Sequence, residues 1–193
     1  MTVSRRMGRM VVISGPSGAG KTSVCRALKE RPGVEFSVSA TTRPMRAGES
    51  EGVDYHFLTR AEFESRVRCG EFLEWASYND NLYGTLRAPM TQALGAGRTF
   101  LLEIEVEGTR QLRAQRVPGL YLFIAPPSLA ALRERLEKRG ANSRTDIDAR
   151  VRIAEQEIAA AAGTVDGRPL YDHTIVNDRL DATIRRVEEL IGR

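Results

Sequence analysis

The segment GPSGAGKT, residues 15–22, has the residue types and spacing best suited to binding a phosphate. It matches the pattern G-x-x-x-x-G-K-[ST], with an apolar run before it and a helix-compatible run after it. Glycines at this spacing let successive backbone N–H groups turn towards phosphate oxygens, and the following helix adds the positive end of its dipole. Lys21 suits the β and γ phosphates of a nucleotide, and Thr22 can ligate Mg²⁺. This glycine loop predicts nucleoside triphosphate binding through Gly15, Ser17, Gly18, Ala19, Gly20, Lys21, Thr22 and Ser23.

The composition narrows the classes of protein to which the chain can belong. Its 193 residues suffice for one or two domains, and 41% apolar and 28% charged residues indicate a globular chain. The net charge of +4 suits an anionic ligand but is too small to indicate nucleic acid. Cys25 and Cys69 form neither a zinc pattern nor a disulfide framework, and the apolar run at residues 10–13 is too short for a signal sequence or a membrane span. We therefore expect a cytoplasmic protein with small-molecule partners, without nucleic acid or membrane.

Apolar runs rich in Val, Ile, Leu and Phe recur along the chain and are typical of buried strands. They occupy residues 10–14, 34–39, 99–105, 120–125 and 173–177. Segments of helical period occupy residues 22–30, 108–115, 129–138, 146–162 and 180–191. Ser128 is a candidate N-cap for the third of these helices, and Gly140 is a candidate C-cap. The alternation predicts an α/β fold with three layers, in which helices cover both faces of a five-stranded parallel sheet.

Residues 41–97 interrupt this alternation. They contain the strand-like runs YHFL and EFLEWASY, an NDN turn, and a short helix that begins with the capping-box pair Thr59 and Glu62 and ends before Gly70. The pattern predicts a small antiparallel insertion with its own helices.

The glycine loop leaves open which molecule receives the phosphoryl group. A switch GTPase is expected to carry an Asn-Lys-x-Asp guanine reader, which is not evident, and a mechanical ATPase normally needs a longer chain. Residues 133–152 are dense in arginine and are either solvated charged helices or a mobile cover over an anion. A cover suits transfer to a second bound small molecule, because excluding water prevents hydrolysis.

From residue 10 to residue 191 the sequence resembles guanylate kinase. The ordered matches are GPSGAGKT, SVSATTRPMRAGE, DYHF, EFLEWA, LYGT, FIAPPS, RLEKRG and IVND. The resemblance implies a core that binds ATP with Mg²⁺, an insertion that binds GMP, and an arginine-bearing lid that closes over the phosphates. On this basis the core comprises residues 1–40, 98–132 and 157–193, the insertion residues 41–97, and the lid residues 133–156.

The resemblance also implies a GMP site. The residues expected to grip the GMP phosphate, through guanidinium and phenol donors, are Arg43, Arg46, Tyr55 and Tyr83. Glu74 is the expected guanine reader, because a carboxylate can accept hydrogen bonds from both N1–H and N2–H₂ of guanine, whereas adenine presents an acceptor at N1. Ser39 and Thr85 are expected near guanine O6, with Thr85 in place of the family's usual Ser.

Further residues carried over from the resemblance concern the phosphates and the metal. The expected catalytic residues are Lys21, Arg43, Arg135, Arg139 and Arg150, whose charges suit the transferred phosphoryl group. Asn177 is expected to meet the adenine end of ATP, although an Asn at a strand end is also common in turns. Glu103 stands where the family more commonly has Asp; it is assigned to the metal shell and the GMP site, with a solvent-facing Glu as the alternative. Thr22 is the expected Mg²⁺ ligand.

Two functions remain open on the sequence. The first is an enzyme, a nucleoside monophosphate kinase that transfers the γ-phosphoryl group of ATP to GMP with Mg²⁺ and gives ADP and GDP. The second is a non-catalytic guanylate kinase-like module that binds peptides, in which the glycine loop is typically degraded. Lys21 and Thr22 are intact here, which favours the enzyme. The sequence does not indicate whether the chain is a monomer or a homo-oligomer.

Overall fold

The computed structural model describes residues 8–138 and 143–192. The strands are β1 Arg9–Ser14, β2 Val34–Phe36, β3 Ala40–Thr41, β4 His56–Phe57, β5 Phe72–Tyr78, β6 Asn81–Leu86, β7 Thr99–Glu103, β8 Leu120–Ala125, β9 Thr164–Val165, β10 Arg168–Pro169 and β11 His173–Val176. The helices are α1 Lys21–Lys29, α2 Arg60–Arg68, α3 Arg87–Gly95, α4 Val106–Ala114, α5 Leu129–Lys138, α6 Arg144–Ala161 and α7 Leu180–Ile191. None of the helices in these two ranges is both long and apolar enough to cross a membrane.

Five strands form one parallel sheet in the order β11-β8-β1-β7-β2. Along β1, Met10 and Val12 belong to one buried apolar cluster, and Val11 and Ile13 belong to another. A strand covered on both faces must be apolar at every position, which explains the continuous runs in the sequence. The predicted α/β fold with a five-stranded parallel sheet is confirmed.

The ends of the main-sheet strands set the position of the site. The strand β7 ends at Glu103, two residues before the predicted limit of 105, because Glu105 is the N-cap of α4. The strand β2 ends at Phe36 rather than at residue 39. The carboxyl ends of parallel strands meet at one edge of a sheet, so the glycine loop after β1 lies beside the end of β7.

The insertion forms a second sheet in the order β4-β3-β6-β5. The pairs β3–β6 and β6–β5 are antiparallel, as predicted, whereas β3 and β4 pair in parallel. Thr59 and Glu62 form the predicted capping box at the start of α2. Phe63 of α2 stacks on Phe72, with ring centroids 4.3 Å apart, in an apolar cluster that also contains Leu82 and, from the start of β3, Ala40. The insertion therefore has its own small core.

The sequence pattern did not define the strand β6, the helix α3 or the hairpin of β9 and β10. β6 contains Gly84, a residue type disfavoured in strands. A Cβ at Gly84 would lie 2.7 Å from the Phe72 ring and 2.8 Å from the Glu74 carbonyl oxygen. The close approach of β5 therefore requires glycine at this position and weakens the strand signal.

Helix α4 covers the outer edge of β5 with two glutamines, Gln111 within the helix and Gln115 at its C-cap. Gln111 accepts a hydrogen bond from the Trp75 N–H at 3.1 Å and donates one to the Trp75 carbonyl at 2.8 Å. One turn later, Gln115 donates to the Leu73 carbonyl at 2.8 Å. These side chains occupy the place of a neighbouring strand and fasten the insertion to the core.

Helices α5 and α6 pack around a fourth apolar cluster, formed by Leu132, Leu136, Ile147 and Ala154. The predicted N-cap of α5 is confirmed, because Ser128 Oγ accepts a hydrogen bond from the Ala131 N–H at 3.0 Å. The candidate C-cap Gly140 lies outside the described residues. The fourth cluster is separate from the two that flank the main sheet.

Candidate active site

The glycine loop turns sharply between β1 and α1 because three of its residues have positive φ angles. Gly15, Gly18 and Gly20 have φ values of +144°, +88° and +98°. A Cβ at Gly15 would collide with the Ile124 carbonyl oxygen, and a Cβ at Gly20 would collide with the Asn177 amide nitrogen. Both positions therefore require glycine, for conformation and for space.

Lys21 and Thr22 begin α1 beside the end of β7. Lys21 is only 7% exposed, donates a hydrogen bond to the Gly15 carbonyl, and has its Nζ 3.8 Å from Glu105 Oε1. Thr22 Oγ1 donates to Glu103 Oε1 at 2.7 Å. The loop and these two carboxylates line an open cavity of about 180 Å³. An ammonium group, a helix N-terminus and oxygen ligands together suit a polyphosphate with a divalent cation.

Three other residues assigned to ATP lie in or next to the glycine loop. Ser17 lines the cavity, Ala19 is buried, and Ser23 is exposed on α1. Their contacts with ATP stay predictions.

A larger cleft, of about 340 Å³, contains none of the predicted site residues. It is lined in part by Arg113, Arg116 and Gly119, the last of which precedes β8. It therefore lies at the amino end of β8, the edge of the sheet opposite the glycine loop. The groups that match a phosphate and its cation line the smaller cavity and not this cleft.

Asn177 lies beneath the glycine loop and is 5% exposed. Its Nδ2 donates to the Ala19 carbonyl at 2.7 Å, and its Oδ1 accepts from the Thr183 hydroxyl at 3.0 Å. Its carbonyl accepts a hydrogen bond from Arg135 Nη2 at 2.8 Å. Asn177 thus joins the loop, α7 and an arginine of α5, while its predicted contact with adenine stays a prediction.

The three predicted lid arginines have different surroundings. Arg135 is half-buried and bonded to Asn177, whereas Arg150 is exposed on α6 and lies near Asp146. Arg139 lies outside the described residues. Among the lid arginines within the described residues, Arg135 is therefore the one that forms a hydrogen bond with another predicted site residue.

Arg43, Tyr55 and Tyr83 meet in the insertion. The Arg43 guanidinium carbon lies 5.4 Å from the centre of the Tyr55 ring, and the Tyr55 and Tyr83 rings meet edge-on at 6.1 Å. Burial raises the pKa of the Tyr55 hydroxyl, which keeps it a hydrogen-bond donor. The Arg46 side chain is exposed, but its backbone N–H donates to Glu49 Oε2 at 2.8 Å. Three of the four residues predicted to grip a phosphate therefore lie together.

Glu74 on β5 and Thr85 on β6 lie opposite each other and are both buried. Thr85 Oγ1 donates to Glu74 Oε1 at 2.7 Å. Burial raises the pKa of Glu74, and this hydrogen bond partly offsets the increase. A Cβ at Gly108 would lie 2.7 Å from Glu74 Oε2, so the first turn of α4 leaves room for this carboxylate. Ser39 is half-buried just before β3, and its carbonyl accepts from the His56 N–H at 2.8 Å.

Comparison with known proteins places this chain in a family. The family model described as guanylate kinase matches residues 7–193. The chain belongs to the guanylate kinase family. The guanylate kinase of Thermosynechococcus vestitus is 44% identical over 95% of this chain and 93% of its own length, and that of Gloeobacter violaceus is 43% identical over 96% and 87%. The crystal structure of guanylate kinase from Anaplasma phagocytophilum matches with a TM-score of 0.72 and 31% identity, over 97% of this chain and 86% of that one.

Membership of the guanylate kinase family confirms the resemblance found in the sequence. It also confirms the prediction of an enzyme, a nucleoside monophosphate kinase. The limits of the core, insertion and lid, and the roles of individual residues, stay predictions.

Glu157 is a residue near the phosphate cavity that the sequence did not reveal. It is half-buried on α6, and its carboxyl group interacts with Glu105 at the start of α4. Burial and the Glu105 carboxylate raise the pKa of Glu157 to about 7, and Lys21 opposes this increase. Only the packing of α6 against α4 brings Glu157 and Glu105 together, so sequence spacing contains no signal for the pair.

We expect the Glu157→Gln variant of this guanylate kinase family member to differ from the wild type in its pH dependence of stability. Because folding raises this pKa from 4.5 to about 7, the folded chain retains a proton that the unfolded chain releases. The wild type should therefore lose stability, relative to Glu157→Gln, as the pH rises from 4.5 to about 7. Urea unfolding of both proteins across this range measures the difference. The control is Glu155→Gln, an exposed position on the same helix, which should follow the wild type. Parallel pH profiles for wild type and Glu157→Gln would contradict the raised pKa.

Proposed function

We propose that this chain transfers the γ-phosphoryl group of ATP to the phosphate of GMP, giving ADP and GDP. The observation that carries the proposal is the position of α4 between two sites. Glu105, at the N-cap of α4, lies 3.8 Å from Lys21 in the phosphate cavity. Gly108, in the first turn of the same helix, faces the buried carboxylate of Glu74. The first turn of α4 therefore lies between the proposed triphosphate site and a carboxylate that can accept hydrogen bonds from guanine.

The Glu74 carboxylate supports GMP as the acceptor. Guanine offers N1–H and N2–H₂ as adjacent donors, and a carboxylate has two oxygens that can accept them together. Adenine would place the N1 lone pair against Glu74, which would leave a buried charge without a donor. The Thr85 hydroxyl already donates to one oxygen and leaves acceptor capacity on both. We propose that the Ser39 hydroxyl, just before β3, completes the base site.

The residues beside the glycine loop fit Mg²⁺. Mg²⁺ prefers oxygen ligands and usually takes one or two from the protein, with waters and phosphates supplying the rest. The Thr22 hydroxyl donates its hydrogen bond to Glu103, so its oxygen lone pairs remain available to a cation. We therefore propose Thr22 as the ligand and Glu103 as the acid that orients it. When bound, the ion neutralises charge on the β and γ phosphates.

The remaining chemistry is positioning and electrostatic stabilisation by side chains of this chain. We propose that Lys21 holds the β and γ phosphates, and that Arg43, Tyr55 and Tyr83 hold the acceptor phosphate. Lid closure would bring Arg135, Arg139 and Arg150 towards the phosphoryl group and exclude water. The apolar clusters of the insertion sheet and of α5 with α6 are separate from the two that flank the main sheet, which supports these two parts as moving units. Because Ala40 belongs to the first cluster and Leu132 to the second, each unit would extend slightly beyond residues 41–97 and 133–156. We place the activity in the cytoplasm, where the free Cys25 and Cys69 stay reduced.

A coupled assay of ADP production tests the proposed function. With Mg²⁺ and ATP, we expect ADP when GMP is offered, and only background with AMP, with UMP or with no acceptor. Omission of Mg²⁺ should abolish the GMP-dependent signal. ADP formed equally without an acceptor would indicate an ATPase, and no ADP under any condition would favour a non-catalytic binding module.

A further inference from the structure

Glu49 ends a tight turn in the insertion and uses both of its carboxylate oxygens. Its Oε1 accepts a hydrogen bond from Arg43 Nη2 at 2.7 Å, and its Oε2 accepts one from the Arg46 backbone N–H at 2.8 Å. The Glu49 N–H donates back to the Arg46 carbonyl at 3.1 Å, and Gly48 has φ +88° as the turn requires. One side chain therefore fixes both a guanidinium group and the backbone of the next arginine.

From these contacts we infer that Glu49 is a positioning residue, which holds Arg43 and Arg46 ready for the acceptor phosphate before the acceptor binds. The inference rests on the proposed function, because it assigns GMP to the insertion. Glu49 acts through the arginines and has no role in the phosphoryl transfer itself.

The surroundings of Arg43 support a fixed guanidinium group. Its side chain is only 11% exposed, and its Nη1 donates to the Pro44 carbonyl at 2.7 Å. The guanidinium carbon lies 5.4 Å from the Tyr55 ring centre and 5.8 Å from that of Phe57. Pro44 and Glu49 use two of the five guanidinium N–H groups, and the Tyr83 hydroxyl also interacts with this guanidinium group, so donors remain for an incoming phosphate. The pair with Glu49 therefore orients the guanidinium group and leaves donors for a ligand.

The charges are also compatible with binding a dianion. Arg43 and Arg46 carry two positive charges against the single negative charge of Glu49, so the group stays net positive. The hydrogen bond from Arg43 holds the pKa of Glu49 below its ordinary value, so the carboxylate stays ionised at neutral pH. Fixing a long side chain before the ligand arrives removes an entropic cost from binding.

A competing account of Glu49 predicts the opposite change in phosphate affinity when its carboxylate is removed. If Glu49 only screened the arginines, its removal would strengthen phosphate binding, because a negative charge would leave the site. If Glu49 positions them, its removal must weaken phosphate binding although the site becomes more positive. The two accounts are therefore separated by the direction of a single change.

Isothermal titration calorimetry provides the test. Titration with GMP and with guanosine measures how much affinity the phosphate adds. For Glu49→Ala we expect GMP affinity to fall about 10- to 100-fold, with guanosine affinity unchanged. In turnover assays the KM for GMP should rise while the KM for ATP stays the same. Glu49→Gln, which keeps an acceptor for Arg43 but loses the charge, should recover part of the loss.

The matched control is Glu51→Gln. Glu51 lies in the same segment, accepts from the Phe57 N–H at 2.8 Å and lies 3.1 Å from His56, so it makes a similar pair of contacts away from Arg43. Its ratio of GMP to guanosine affinity should match the wild type. If thermal unfolding shows that Glu49→Ala is not folded, the ratio of GMP to guanosine affinity in Glu49→Gln tests the positioning role instead.

Each outcome bears on one of the two proposals. An unchanged or increased GMP-to-guanosine ratio in the folded Glu49 variants would overturn the positioning role and leave the kinase function standing. A wild-type chain that binds GMP no better than guanosine would overturn the acceptor phosphate site, and the role of Glu49 with it.

Discussion

Replacement of Lys21 by Ala is expected to lower kcat by about 10²- to 10³-fold, the usual effect of removing one preorganised donor from developing negative charge. Lys21 is buried in the glycine loop beside Glu105, so its ammonium group is held where the β and γ phosphates are proposed to lie. The variant also loses the hydrogen bond to the Gly15 carbonyl, at a cost of about 1–3 kcal/mol in the free energy of unfolding. That loss is small enough for the chain to stay folded.

The coupled assay at saturating ATP and GMP, with circular dichroism and thermal unfolding on the same samples, measures this prediction. Lys29→Ala is the matched control, since Lys29 is an exposed lysine at the other end of α1. It should retain wild-type kcat. A folded Lys21→Ala protein with an unchanged rate would refute the assignment of the glycine loop to phosphoryl transfer.

Replacement of Glu74 by Gln is expected to reduce the preference for GMP over AMP, measured as the ratio of kcat/KM values, by about 10²- to 10³-fold. Gln keeps an oxygen for the Thr85 hydroxyl, so the pair across β5 and β6 can persist. Its amide nitrogen would oppose one of the two guanine donors and could instead donate to adenine N1. The change therefore lowers GMP use and relieves the penalty on AMP. Because the substitution also removes a buried charge, we expect the unfolding temperature to stay the same or rise.

Initial rates with GMP and with AMP, each across a concentration series, give the two kcat/KM values. Glu71→Gln is the control, because Glu71 is exposed immediately before β5. It should keep the wild-type preference. Unaltered discrimination in Glu74→Gln would mean that another residue reads the base.

Local sequence signals account for the parts of the fold that were predicted. The main-sheet strands are continuous apolar runs because both of their faces are buried, and the glycine loop has a fixed spacing with a strand before it and a helix after it. Thr59 and Ser128 were recognised as caps because capping depends on neighbours within three residues. Such features need no knowledge of the rest of the chain.

Features that depend on distant neighbours were not visible in the sequence. Gly84 obscures a strand because β5 approaches it closely. Asn177 supports the glycine loop through Ala19, a contact across 158 positions of the chain. Glu49 belongs to the segment SVSATTRPMRAGE, yet the sequence does not show that its carboxylate accepts hydrogen bonds from both Arg43 and Arg46. These roles depend on tertiary packing between distant residues, which cannot be inferred from a single sequence.

The glutamines of α4 have a consequence for how this protein meets other chains. A strand at the edge of a sheet normally exposes backbone groups on which a foreign strand can add, which leads to fibre growth or domain swapping. At β5, the Trp75 N–H and carbonyl and the Leu73 carbonyl are already occupied by Gln111 and Gln115. Because those side chains belong to a core helix and its C-cap, the stretch of β5 from Leu73 to Trp75 is closed to strand addition by the same element that anchors the insertion.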